Sequence, residues 1–230
     1  MSNPADRLAA VLERIRLAER RFQRLPQSVS LLAVSKTHPD SAVAAAAAAG
    51  QRAFGENYVQ EALDKIGALR HLDLEWHFIG PIQSNKTRRI AENFAWLHSV
   101  DRLKIAERLS AQRPPSLPPL NVCLEVNISG EPSKSGLAVT ELAAVAQAVS
   151  VLPCIRLRGL MTIPAPTQDF AAQRLPYARL RQAQQALIDA GMALDTLSMG
   201  MSDDLEAAIA EGATIVRVGT AIFGPRVPRP

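Results

Sequence analysis

Lys36 is the residue whose type and position in this sequence best suit carbonyl chemistry. It ends the short apolar run SLLAVSK, and it is one of only five lysines in a chain that has 21 arginines. A lysine at the end of a buried strand is partly desolvated, which favours the neutral amine that attacks a carbonyl group. Position alone favours an ordinary lysine with its ammonium in water, so the chemistry of Lys36 depends on its surroundings.

Two segments near the carboxyl end carry donors that suit a phosphate group. The first, LSMGMSDDLEAAIAEG, passes through Gly200 and Ser202 into a predicted helix, whose free N–H groups and positive dipole end can hold an anion. In the second, TIVRVGTAIFG, Gly219 and Thr220 offer an N–H and a hydroxyl after the last predicted strand. Barrels commonly bind phosphate at that place. Together the two segments predict a phosphate site.

Two carboxylates oppose this interpretation. Asp203 and Asp204 occupy the first turn of the helix predicted over residues 203–211. There they would satisfy the helix dipole themselves and would repel a dianion unless their side chains turn away. On these residues alone, a capped helix without a ligand therefore remains an alternative.

Other polar residues stand at or near the ends of predicted strands. Arg217 shares an inward face with Gly219, and as a buried cation it requires a partner such as a cofactor ring nitrogen or a carboxylate. Asn57 in FGENYVQE either contacts a ligand or caps the following helix. His77 lies within its strand, where a hydrogen-bonded core histidine is the commoner outcome. Asn127 reaches the same rim.

The order of apolar runs predicts an α/β architecture, because short runs typical of strands alternate with longer amphipathic stretches typical of helices. The predicted strands cover residues 30–35, 52–55, 75–79, 95–99, 120–127, 154–161, 194–198 and 214–218. The predicted helices cover residues 5–24, 40–49, 57–70, 84–93, 101–111, 139–150, 168–190 and 203–211. This alternation matches a (β/α)8 TIM barrel, expected as a single domain over residues 1–230 with an extra N-terminal helix, and a doubly wound open sheet is the main rival.

The composition argues against several classes of protein. The chain is 47% hydrophobic and 21% charged, with a net charge of +4 and no run of five or six like charges, so nucleic-acid binding is not expected. Cys123 and Cys154 stand in apolar runs, which fits a reducing compartment. The sequence shows no signal peptide and no apolar stretch near the ~20 residues of a membrane span. We therefore expect a cytoplasmic protein that has no membrane partner.

Seven segments resemble one known family. They are LLAVSKTHP, FGENYVQE, WHFIGPIQSNK, EVNISGEPSKSG, RGLMTIP, LSMGMSDDLEAAI and VRVGTAIFG. From about residue 28 to residue 226 the chain resembles the pyridoxal phosphate homeostasis protein family, also described as the YggS or proline synthase co-transcribed family. The resemblance implies pyridoxal 5'-phosphate (PLP) as cofactor, and a barrel related to the N-terminal domain of alanine racemases, which are fold-type III PLP enzymes.

The resemblance also implies a set of cofactor-binding residues. They are Lys36, Asn57, His77, Ser198, Met199, Ser202, Arg217, Gly219 and Thr220. In this set Lys36 forms the Schiff base and Arg217 faces the pyridine nitrogen. Ser202, Gly219 and Thr220 contact the phosphate. No catalytic residue and no metal ligand is implied.

Three functions are compatible with these residues. A PLP-dependent racemase needs a second acid/base opposite the lysine, usually a tyrosine, and Tyr58 and Tyr177 both fall in predicted helices. A cation beside the pyridine nitrogen disfavours protonation of that nitrogen and weakens the ring as an electron sink. We therefore expect a non-catalytic, monomeric PLP carrier that supplies PLP-dependent apo-enzymes. A racemase or related enzyme and a cofactor-free Schiff-base aldolase are the alternatives.

Overall fold

A closed barrel of eight parallel strands forms the centre of the computed structural model, which describes residues 4–131 and 134–225. Each strand pairs with the next along the chain, and the last pairs with the first, with Leu32 opposite Arg217. The strands are β1 (Ser30–Val34), β2 (Ala53–Glu56), β3 (Glu75–Phe78), β4 (Trp96–Val100), β5 (Leu120–Glu125), β6 (Ile155–Met161), β7 (Thr196–Ser198) and β8 (Ile215–Val218). This closure confirms the predicted (β/α)8 barrel and excludes the open sheet.

Helices follow the strands and surround the barrel. They are α1 (Pro4–Arg21), α2 (Asp40–Ala48), α3 (Val59–Ala68), α4 (Thr87–Asn93), α5 (Leu103–Gln112), α6 (Val139–Ser150), α7 (Phe170–Asp189), α8 (Leu205–Ala210) and α9 (Thr220–Phe223). Single 3₁₀ turns cover Arg70–Leu72 and Ser84–Lys86. The predicted extra N-terminal helix corresponds to α1, which contacts α8 and α9.

Several helix starts differ from the sequence prediction by one to three residues, and two of these differences concern residues discussed for the site. The helix predicted from residue 203 begins at Leu205, because Asp203 and Asp204 lie in the preceding turn. The helix predicted from residue 57 begins at Val59, so Tyr58 precedes α3 and is not part of it. The assignment of residues 1–230 to one domain remains a prediction, and residues 1–3, 132–133 and 226–230 lie outside the described part of the chain.

The two faces of the barrel wall differ in polarity. Because side chains alternate along a strand, Leu97 points outward into the main apolar core, whereas Trp96 and His98 share the opposite face of β4. Trp96 belongs to a separate small cluster with Cys123 and Met161. The barrel interior therefore combines this apolar cluster with buried polar side chains, which the site uses.

Gly159 of β6 is fixed by the close approach of the neighbouring strand. A Cβ atom at this position would lie 1.8 Å from the carbonyl oxygen of Thr196 on β7. We expect Gly159→Ala to lower the free energy of unfolding by about 3 kcal/mol, because neither backbone can move away without breaking the pairing. Gly67→Ala is the matched control, since no atom lies within 4 Å of its added Cβ in α3.

Chemical denaturation followed by far-ultraviolet circular dichroism measures both glycine variants. Gly67→Ala should stabilise the chain by about 0.5–1 kcal/mol, because alanine loses less backbone entropy than glycine on entering a helix. Equal stability of the two variants would mean that β6 and β7 are not packed as closely as the structure has them.

Candidate functional site

A cavity of about 490 Å³ opens at the carboxyl ends of the strands. Its walls come from β1 and β8, from the segments that follow β1, β2, β3, β6, β7 and β8, and from helices α1 and α9. The lining residues are Arg14, Val34, Lys36, His38, Asn57, Ile79, Ile163, Met201, Ser202, Asp203, Arg217, Gly219, Thr220 and Ala221. In barrels this is the face that carries binding and catalytic groups.

The cavity brings together six of the residues expected to bind the cofactor. These are Lys36, Asn57, Ser202, Arg217, Gly219 and Thr220. They come from segments as far apart as residues 36 and 220, and parallel strands place them together because all the strand ends lie at one mouth. Their individual roles remain predictions.

Three other expected residues lie outside the lining of the cavity. His77, Ser198 and Met199 are 3%, 0% and 0% exposed, and none of them is among the lining residues. Asn127 is also elsewhere, since its side-chain amide donates to the carbonyl oxygens of Glu131 and Lys134. Neither His77 nor Asn127 therefore lines the cavity in this structure. The expected role of His77 in cofactor binding remains a prediction.

The backbone around Lys36 is held from two sides. The N–H of Ser35 donates to the carbonyl oxygen of Gly55 (3.0 Å), which continues the pairing of β1 with β2 beyond Val34. Thr37 adopts a φ of 66°, a strained value for a β-branched residue, and its N–H donates to Glu61 Oε1 at 2.5 Å. The chain thus turns sharply at the end of β1, and Lys36 lies between two fixed peptides.

A buried ionic cluster lies directly behind this turn. Lys65 Nζ donates to Glu56 Oε1 (2.6 Å), to Glu61 Oε1 (2.9 Å) and to the carbonyl oxygen of Ser35 (2.7 Å). The Glu56 side chain is fully buried, and its Oε1 also accepts from the Ser35 hydroxyl at 2.7 Å. Burial raises the pKa of Glu56, and Lys65 opposes that rise. The cluster therefore ties helix α3 to the residue that precedes Lys36.

The segment from Met201 to Asp204, which follows β7 beside the expected phosphate position, is held in place by the carboxylate of Asp204. Asp204 turns away from the cavity, because its carboxylate accepts from the N–H of Met201 (2.6 Å) and from the buried hydroxyl of Tyr177 (2.7 Å). Burial raises the pKa of Tyr177, so the phenol stays protonated and donates. One of the two expected repulsive carboxylates is thus engaged elsewhere, whereas Asp203 still lines the cavity.

Arg14 of helix α1 is a lining residue that the sequence does not predict. Its guanidinium pairs with Glu206 (2.9 and 3.0 Å) and donates to the carbonyl oxygen of Ser202 (3.1 Å). Helix α1 thereby closes one side of the cavity beside the expected phosphate position. The sequence does not distinguish Arg14 from the other arginines, because the 21 arginines are scattered along the chain.

Tyr177→Phe tests the support of this segment. Loss of the hydroxyl leaves a buried carboxylate oxygen of Asp204 without its donor. We therefore expect the free energy of unfolding to fall by about 1.5 kcal/mol. Phosphate binding should also weaken, because the segment from Met201 to Asp204 loses one of its two anchors. The control is Tyr58→Phe, because Tyr58 is 49% exposed and a surface substitution there should change stability by less than about 0.5 kcal/mol.

Denaturation curves and titration with inorganic phosphate measure the two tyrosine variants. If Tyr177→Phe behaves as Tyr58→Phe does in both measurements, the Tyr177–Asp204 contact does not support the segment.

Arg217 forms the inner wall of the cavity. It is 5% exposed, and its guanidinium donates to Ser198 Oγ (2.8 Å) and to the carbonyl oxygen of Thr162 (3.0 Å). Burial lowers the pKa of Arg217, while Tyr177 and Asp204 oppose that shift. Its hydrogen-bond partners are thus a hydroxyl and a carbonyl, not the carboxylate that the sequence left open.

The residues of this cavity fit an anionic ligand that carries a carbonyl group. Lys36 and Arg217 supply positive charge, and Ser202 and Thr220 supply hydroxyls next to the backbone of Gly219. Asn57 Oδ1 is buried on the wall without a hydrogen-bond partner. Because the two ends of an amide side chain are assigned only from their contacts, Asn57 can present either a donor or an acceptor to a ligand.

No helix in the described ranges is both long enough and apolar enough to span a bilayer.

The sequence matches the family described as alanine racemase, N-terminal domain, over residues 7–227. The protein of Pseudomonas aeruginosa named pyridoxal phosphate homeostasis protein is 64% identical over 226 residues, which cover 98% of this chain and 97% of that protein. The solved structure of PipY from Synechococcus elongatus with PLP bound is 41% identical, with a TM-score of 0.85, and the match covers 96% of this chain and 100% of that one.

A more distant match concerns the fold alone. Alanine racemase from Corynebacterium glutamicum is 19% identical with a TM-score of 0.68, and the match covers 96% of this chain and 62% of the racemase. The barrel of this chain is therefore the barrel found in fold-type III enzymes, as the resemblance implies.

Proposed function

This chain belongs to the pyridoxal phosphate homeostasis protein family, and on that premise we propose that it binds PLP as a Schiff base on Lys36 and takes part in intracellular PLP homeostasis. The observation that carries the proposal is the single cavity that unites Lys36 with Ser202, Gly219 and Thr220. A relative that is 41% identical over its whole length has been solved with PLP bound, which supports the same ligand here.

Each wall of the cavity has a distinct part in this proposal. Lys36 provides the amine that condenses with the cofactor aldehyde, and the turn at Thr37 fixes the backbone next to it. Ser202, Gly219 and Thr220 hold the phosphate with two hydroxyls and backbone N–H groups. Arg217 faces the ring as a fixed cation. When bound, PLP supplies an electrophilic aldehyde and an electron-withdrawing ring.

We further propose that the chain carries PLP without catalytic turnover. A racemase requires a second acid/base opposite the lysine. Tyr177 is fully buried against Asp204, and Tyr58 stands before α3 outside the cavity lining. The Arg217 cation also disfavours protonation of the ring nitrogen and so limits carbanion chemistry. Both features favour a carrier over a racemase, the main alternative.

The remaining parts of the proposal concern location and partners. We place the protein in the cytoplasm as a monomer that passes PLP to PLP-dependent apo-enzymes. The cavity supports such release because it opens at the barrel mouth, so bound PLP can leave without unfolding of the barrel.

Proton exchange in D2O decides between carrier and enzyme. The PLP-loaded protein is incubated with L-alanine and other amino acids, and loss of the α-proton signal is followed by ¹H NMR. We expect exchange no faster than with a Lys36→Ala variant at equal PLP concentration. Catalytic exchange that disappears in Lys36→Ala would show that the chain is an enzyme.

A further inference from the structure

An unbroken chain of hydrogen bonds crosses the barrel interior below the cavity. Glu75 Oε1 contacts His77 Nε2 (2.8 Å), and His77 Nδ1 contacts His98 Nε2 (2.9 Å). His98 Nδ1 in turn contacts Ser198 Oγ at 2.6 Å, and the same oxygen accepts from Arg217 at 2.8 Å. The chain begins at the first residue of β3, at the amino end of the barrel, and ends at the cavity wall.

The order of these contacts allows one arrangement of protons. The ionised carboxylate of Glu75 only accepts, so His77 must carry its proton on Nε2. His77 Nδ1 is then an acceptor, which requires the proton of His98 on Nε2. His98 Nδ1 therefore accepts from the Ser198 hydroxyl. Ser198 has no other proton, so it meets Arg217 with a lone pair.

Burial and packing fix this arrangement. His77 and His98 are 3% and 0% exposed, and burial lowers the pKa of both, so each ring is neutral. The hydrogen bond to His77 lowers the pKa of Glu75, which keeps that carboxyl ionised. Trp96 stacks on His77 with a centroid distance of 5.5 Å and an interplanar angle of 3°. Both rings therefore resist protonation, and the stacked indole restricts rotation of the His77 ring.

We propose that His77, His98 and Ser198 are positioning residues that hold Arg217 at the ring side of the cavity, with their proton order set by Glu75 at the opposite end of the barrel. His77 thus acts on the site through two other side chains and not by lining it. The effect on the ligand rests on the proposed function, whereas the proton order is a property of the protein alone.

The proton order is measured first, on protein without added PLP. Long-range ¹H–¹⁵N correlation spectra of the ¹⁵N-histidine-labelled chain distinguish the two tautomers of a neutral imidazole. We expect His77 and His98 both to be protonated on Nε2, with assignments made from His77→Gln and His98→Gln. An Nδ1 proton on either ring overturns the proposal, whether or not the chain binds PLP.

Ser198 is then tested by absorbance titration with PLP. Ser198→Ala removes the acceptor of Arg217, so the apparent Kd should rise about tenfold, as for loss of a hydrogen bond to a charged group. Ser198→Thr keeps the hydroxyl and should stay within about threefold of the parent chain. Equal effects of the two variants would show that Ser198 matters only for packing.

Glu75 provides the test at a distance. Glu75→Leu removes the carboxylate that orders the chain, so the spectra should show a mixture of tautomers at His77, and the Kd for PLP should rise about threefold. The matched control is Glu13→Leu on α1, since the two side chains are 49% and 50% exposed. An unchanged tautomer at His77 in Glu75→Leu contradicts the proposal. If the parent chain itself shows no PLP band, the proposed function fails and the tautomer result stands.

Discussion

Lys36→Arg is expected to abolish the near-visible absorbance band that the parent chain gains with PLP, and to raise the apparent Kd for PLP at least about a hundredfold. Arginine keeps a positively charged side chain on the wall of the cavity that Arg217 also lines. Its guanidinium stays protonated at all accessible pH values, so it cannot condense with an aldehyde. The loss thus reports the covalent link and not the charge. A hundredfold change corresponds to ~2.7 kcal/mol of binding free energy.

Lys104→Arg is the control for this substitution, because Lys104 is an exposed residue of α5 away from the cavity. It should show the parent band and the parent Kd. Parent-like absorbance in Lys36→Arg would mean that another amine holds the cofactor, and the proposed role of Lys36 would have to be abandoned.

Lys65→Met is expected to have the largest effect on stability among the substitutions considered. It leaves the fully buried carboxylate of Glu56 without its cation, and it removes one of the two donors to the carbonyl oxygen of Ser35, which keeps only the N–H of His38. Removing one partner of a buried ion pair typically costs about 3–5 kcal/mol, and we expect a loss in that range at neutral pH. PLP affinity should fall as well, because Ser35 directly precedes Lys36.

The pH dependence of this loss has a defined sign. Burial raises the pKa of Glu56 above its ordinary value of 4.5, and removal of Lys65 raises it further. Between 4.5 and the raised value the folded chain binds more protons than the unfolded chain, so stability falls as pH rises through this window. The destabilisation caused by Lys65→Met should therefore shrink as pH is lowered towards 4.5.

Urea denaturation at several pH values measures this effect, with Lys104→Met as the exposed control. The double variant Glu56→Gln/Lys65→Met removes the unpaired charge and should recover part of the lost stability at neutral pH. A loss that does not vary with pH, and that the double variant does not reduce, would show that Lys65 contributes only packing.

The barrel could be predicted from sequence because each strand is a short apolar run bounded by polar residues. The prediction for β6 differs from the structure by one residue at its start, and β7 begins at Thr196 instead of residue 194. Helix α9 could not be predicted, because four residues cannot display a helical period. The start of α8 was placed too early, since Asp204 bonds to Met201 and Tyr177 and the turn before the helix is the result.

Only those residues of the candidate site that follow the ends of strands could be predicted from the sequence. Lys36, Ser202 and Thr220 follow predicted strands, and the closure of the barrel brings such ends together. His98 was missed because it lies in an apolar strand, and its partner Ser198 is 100 residues away in sequence. A contact between residues so far apart in the chain leaves no local pattern in the sequence. For His77 the residues alone favoured a hydrogen-bonded core histidine, and the structure identifies Glu75 and His98 as its partners.

The most direct test of the account is to find the lysine that holds PLP. The protein is loaded with PLP, reduced with sodium borohydride, digested, and mapped by mass spectrometry. We predict one phosphopyridoxyl group per chain, on the peptide that contains Lys36. A label on Lys134 or another lysine, or a loaded protein that retains no label after reduction, would contradict the account.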